Sequence, residues 1–203
     1  MQYSKIAVAS VLASALGLLA APDARAAFVA TMVESGPNVV VTGSGTIDLA
    51  GFHNPYSMTG LLLSGIIPSG GDILIGPTGY VSTDNYTPYS GPSSFGSGGF
   101  TVASSGTGDR VGVYTGIGDI IVPSGYVSGS HLSSSATYDD ATFASLGVTP
   151  GTYVWTWGAG NTLDSFTLDI TAEAPVPTPE PPSLALFGAA IAALGWRRRR
   201  KAR

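Results

Sequence analysis

The chain holds two histidines, His53 and His131, and no cysteine. The absence of cysteine removes thiolate nucleophiles, thiolate metal ligands and disulfides from consideration. A hydrolase triad can be drawn from Ser130, His131 and Asp139 or Asp140, the imidazole taking the serine proton and a carboxylate orienting the imidazole. In a chain so rich in serine, that proximity is expected by chance. The sequence contains no HExxH, GxSxG, GxGxxG, P-loop or EF-hand pattern. No catalytic residue, metal ligand or cofactor is therefore assigned. Asp72, Asp109, Asp119, Asp139, Asp140, Asp164 and Asp169 read as turn and strand-end residues; the sharper alternative is weak calcium binding by loop carboxylates. Trp155 and Trp157 read as core rings, or, if exposed, as a platform on which a sugar could stack.

Those side chains must be carried by strands. In TYVWTWG, Tyr153, Trp155 and Trp157 fall on one face; in SFTLDI, Phe166, Leu168 and Ile170 alternate with polar residues. Period-two alternation with aromatic and β-branched residues predicts half-buried strands. The GAGN between them is a turn sequence, so 152–157 and 163–171 are expected to pair as a hairpin with the three rings facing inward and forming the main core. Further strands are expected at 27–34, 38–49, 59–67, 72–75, 99–104, 110–115 and 119–122, each ended by Gly, Pro, Ser or Asp clusters. YDDATFASLG predicts one short helical turn capped by Asp139 or Asp140. GDILIGPTGYVS (71–82) and GDIIVPSGYVS (118–128) echo one another, which reads as a repeated strand–turn–strand unit or as coincidence in a low-complexity chain. The body is thus expected to be all-β, an antiparallel β-sandwich.

The two ends have a different character. One cation, Lys5, precedes an apolar run from Ile6 to Ala20, and Ala24 and Ala26 place small residues before Ala27. This describes a secretory signal helix over 1–26, cut after Ala26 by signal peptidase. At the other end Leu184 to Trp196 is mostly apolar. Thirteen helical residues span about 20 Å against a hydrocarbon core of about 30 Å. Arg197, Arg198, Arg199 and Arg200 follow at once, with Trp196 suited to the interface. Prolines 175, 177, 179, 181 and 182 make an extended spacer. The chain therefore divides into a signal (1–26), a body (27–172), a Pro-rich linker (173–182) and a tail (183–203) whose segment 184–196 is a short transmembrane helix.

Charge is segregated in the same way. Between Ala27 and Glu180, Arg110 is the one fixed cation against twelve acids, a formal charge of −11. A body this acidic repels nucleic acid and anionic lipid surfaces.

Pro179-Glu180-Pro181, then an apolar stretch, then an arginine cluster resembles the PEP-CTERM sorting signal of Gram-negative bacteria. The resemblance implies recognition by exosortase, a membrane cysteine protease-transpeptidase, and removal of the tail. It also implies delivery to the cell surface or exopolysaccharide matrix after transient anchoring in the inner membrane. Pro179, Glu180 and Pro181 match its recognition motif, 184–196 its span and Arg197 to Arg200 its basic clamp, while the doubled Pro181-Pro182 departs from it and leaves the cut site open. The expected function is a non-enzymatic structural protein of the surface or matrix. The alternative is a carbohydrate-binding module gripping the exopolysaccharide through exposed Trp or Tyr. A secreted hydrolase is the third reading.

Overall fold

The computed structural model describes residues 27–59, 63–116 and 118–172. The expected signal helix and C-terminal transmembrane helix lie outside them, and no helix among the described residues is long and apolar enough to cross a membrane. The body is a two-sheet sandwich. In chain order its strands are β1 (Ala27–Ser35), β2 (Asn38–Thr46), β3 (His53–Thr59), β4 (Gly65–Ile67), β5 (Asp72–Ile75), β6 (Ser82–Thr87) and β7 (Thr101–Val102). They continue with β8 (Ser105–Gly108), β9 (Val111–Tyr114), β10 (Asp119–Pro123), β11 (His131–Tyr138), β12 (Gly151–Trp157) and β13 (Asp164–Thr171). One sheet has the order β12-β13-β1-β2-β11-β8 and the other β3-β6-β10-β9-β5-β4-β7.

The expected hairpin is present: β12 pairs antiparallel with β13, with Trp155 opposite Phe166. The sheet is not purely antiparallel, because β13 pairs in parallel with β1, Phe166 opposite Phe28. Local hairpin signals are blind to such a pairing, which joins the two ends of the body without a turn. Trp155, Phe166 and Phe28 thereby form a row of rings across three strands, with centroid separations of 5.9 and 5.3 Å. Trp155 and Trp157 are buried, whereas Tyr153 is half-buried at the core margin. These rings fill one end of a core that also takes Met32, Val41, Ile73, Val113 and Ile120 from both sheets, so they are a part of the core and not its main body.

Four strands, β3, β6, β8 and β11, lie beyond the sequence expectation or only touch it. The expected strand over 59–67 is divided between the end of β3 and β4, and that over 99–104 shrinks to β7. The helical turn exists as α1 (Phe143–Leu146), but Thr142 caps it, its hydroxyl accepting from the Ser145 N–H at 3.1 Å. Asp139 and Asp140 precede the cap, Asp140 itself at φ 51°. Gly147, at φ 65°, closes α1 in the left-handed conformation that glycine adopts most easily.

The sequence echo is a structural one. β5 and β10 flank β9 on its two sides, Ile73 and Ile120 both standing opposite Val113 and Leu74 and Ile121 both opposite Gly112. Each copy supplies an apolar strand to one half of the second sheet and brings Asp72 or Asp119 to the same level beside Tyr114.

Candidate functional site

The serine, histidine and aspartates from which a triad could be drawn do not meet. His131 opens β11, while Asp139 and Asp140 follow its end. Eight residues of strand at about 3.3 Å each hold them roughly 25 Å apart. His131 and Ser130 are exposed, and no base–carboxylate pair forms there. Among the described residues no group of three His, Cys, Asp or Glu side chains is placed to hold a metal ion.

The acids correct the sequence reading more sharply. Asp72, Asp119 and Asp164 are buried, so they are interior groups and not solvating turn residues. Strand-end carboxylates enter the interior here because backbone N–H groups left over at sheet ends need acceptors. Asp164 Oδ2 accepts from the Asp48 N–H and its Oδ1 from the Ser165 N–H, both at 2.6 Å. Asp48 in turn accepts from Ala50 N–H and from the Ser128 hydroxyl. The pair staples the loop after β2 to the start of β13, and Trp157 Nε1 donates to the Asp48 carbonyl at 2.9 Å. Asn85 Nδ2 donates to Asp119 Oδ2 at 3.1 Å, and Thr83 Oγ1 donates to Asn85 Oδ1. Asp72 Oδ1 accepts from the Thr115 N–H and hydroxyl. Burial, followed by the charges of Asp72 and Asp119, pushes the Tyr89 phenol up to about 12.

Burial raises the Asp164 carboxyl to about 6, against the two N–H bonds that lower it; the neighbouring Asp48 charge adds to the rise. The folded protein therefore holds a proton that the unfolded chain releases near pH 3.8. The stability linked to that proton is intact below about pH 4 and is lost as pH rises through 6. A rise of that size corresponds to at most about 3 kcal/mol. Urea midpoints measured between about pH 4 and 7 should fall with a slope that Asp164→Asn flattens; equal slopes in the two proteins would refute the assignment.

The outer face of the first sheet carries five hydroxyls and one carboxylate, Asp169, in register. Thr152, Asp169, Thr31, Thr42, Ser135 and Thr107 face one another across its six strands, and a groove of about 520 Å³ lies over the Thr31-to-Thr107 part. Its described lining includes no titratable side chain. It can exchange hydrogen bonds, and it offers no general acid or base.

Ala27 begins β1 and pairs with Ser165, placing the expected new N-terminus in the sheet. Because β1 and β13 run in parallel, Thr171 lies at the opposite end of the sheet, roughly 20 Å away. Ala24, Ala26, Pro179, Glu180, Pro181, Trp196 and Arg197 to Arg200 lie outside the described residues. For that region comparison with known families is decisive: residues 177–200 match the family model described as the PEP-CTERM protein-sorting motif.

The chain carries a PEP-CTERM sorting motif. No curated protein and no solved structure matches it. The PEP-CTERM motif marks an exported protein bound for the cell surface and targeted by exosortase. It contains Pro179, Glu180 and Pro181 and runs through Arg200, the residues singled out in the sequence. Sequence reasoning missed the interior carboxylates. It also missed Tyr80 and Phe100, whose one signal was an isolated aromatic ring inside a Gly-rich loop.

Proposed function

We propose that the protein is a non-enzymatic structural component of the cell surface or extracellular matrix. In this reading signal peptidase removes 1–26, segment 184–196 holds the chain in the inner membrane, and exosortase releases the body by cutting near Pro179. The observation that carries it is the sorting motif at 177–200, which follows directly on a folded β body. The separation of Ser130 and His131 from Asp139 and Asp140 along β11 supports a non-catalytic body. The burial of Trp155 and Trp157 leaves the carbohydrate-binding alternative without the tryptophan platform it relied on. Intact mass of the protein recovered from the cell surface tests the whole scheme. The expected mass lacks residues 1–26 and everything beyond the sorting motif; a surface protein that retains residues 183–203 would overturn it.

A further inference from the structure

Tyr80 and Phe100 are the two large aromatic side chains that stand most exposed among the described residues, at 66 % and 60 %. Such rings scattered singly need no explanation, but these two line one cavity of about 360 Å³. Tyr80 comes from the loop between β5 and β6. Arg110, buried at the start of β9, donates to the carbonyls of Pro77 and Gly79 and so fixes that loop. Phe100 precedes β7, which pairs with β4. Ile66, Leu74 and Tyr114 from the second sheet complete the apolar lining.

Asp72 also lines this cavity. It is 6 % exposed, and while its Oδ1 is engaged by Thr115, its Oδ2 has no hydrogen-bond partner among the described residues. A carboxylate oxygen without a protein partner, on the wall of an open cavity, can take a positive or donating ligand. The described lining offers no amide, guanidinium, ammonium or aliphatic hydroxyl. A sugar, whose several hydroxyls need several partners, is poorly served there. An anion is repelled by Asp72 and by the formal charge of −11 between Ala27 and Glu180. Aromatic faces around a single carboxylate suit a soft, weakly hydrated cation, which ring quadrupoles attract at close range.

We propose that the cavity binds a small quaternary ammonium ion, its charge set against Asp72 and its methyl groups against Tyr80, Phe100 and Tyr114. Saturation-transfer NMR on the full chain, with choline chloride as the probe, tests this. Saturable choline binding is expected, weakened about tenfold or more by Asp72→Asn and by the double variant Tyr80→Ala/Phe100→Ala. The neutral carbon isostere 3,3-dimethylbutan-1-ol should bind at least about tenfold more weakly than choline, since it keeps the shape and loses the charge. The double variant alters exposed rings, so it stays informative even if Asp72→Asn fails to fold. Glycerophosphocholine distinguishes two sources of the same cation: binding equal to that of choline points to a lipid head group, and weaker binding to a free ammonium solute. The proposal is overturned if choline shows no saturation, if the isostere binds as well as choline, or if the double variant binds choline unchanged.

Discussion

Trp155→Ala should lower the stability of the full chain by about 3–5 kcal/mol. Trp155 is completely buried on β12, edge-on to Phe166 at 5.9 Å. Its indole N–H donates to the Pro92 carbonyl at 3.0 Å. The strand it stands on is the edge of its sheet, and the segment around Ser90 closes that edge with a reciprocal pair of bonds to Thr156 at 2.7 and 2.8 Å. Gly91 is required there, since a Cβ on it would lie 2.5 Å from the Trp155 ring. Removing the indole therefore opens a cavity, orphans a carbonyl, and loosens the segment that covers the edge strand. Trp155→Phe, which keeps most of the volume, should cost clearly less. Tyr153→Ala should also cost less, because that ring is half-buried and its hydroxyl donates to the Thr149 carbonyl at the surface. Urea unfolding followed by circular dichroism reads all three. A Trp155→Ala loss below about 1 kcal/mol would show that the ring does not hold the two sheets together.

The ease with which each part of this fold could be read follows from what its residues bury. β12 and β13 declared themselves because Trp155, Trp157, Phe166, Leu168 and Ile170 alternate with polar residues, and a period of two in large side chains has few other meanings. β11 has the same alternation in the structure, with Leu132, Ser134, Ala136 and Tyr138 inward. In sequence, HLSSSATY looks like loop because serine is common to both faces. β6 is harder still: its inward residues are Thr83 and Asn85, and Asn85 finds its partner Asp119 only on a strand distant in sequence. The parallel contact of β1 with β13 is a property of topology, and no local pattern encodes it.

The same reasoning separates the two candidate sites. The sorting signal was legible because its parts act in order along the chain: a proline motif, an apolar span and a basic cluster. The cavity was not legible, because it assembles Asp72, Tyr80, Phe100 and Tyr114 from four separate segments. The internal echo came nearest to revealing it. Asp72 and Asp119 are the matched acids of the two copies, and both are buried beside Tyr114 in the second sheet. In the second copy Asn85 answers Asp119, whereas in the first Thr115 takes one oxygen of Asp72.

Two changes in the tail should fail in two different ways. In the proposed scheme a helix over 184–196 would cover about 20 Å of a hydrocarbon core of about 30 Å, so its own hydrophobicity would hold the chain weakly. In that scheme Arg197 to Arg200 would supply the stop, because each arginine drawn to the bilayer centre costs about 2.5–3.5 kcal/mol on the insertion scale. With these four replaced by serine the span should slip through the membrane, and the protein should appear outside the inner membrane with residues 183–203 still attached. Deleting Pro179 to Pro181 leaves that stop in place and removes the recognition motif, so the uncleaved chain should accumulate in the inner membrane. Ala27 and Thr171 lie at opposite ends of the first sheet, so neither change touches the start of the body, and both variants should still lose residues 1–26. Membrane fractionation with intact mass distinguishes all of these species. Either variant arriving at the surface with the normal mature mass would show that sorting is read from somewhere other than this tail.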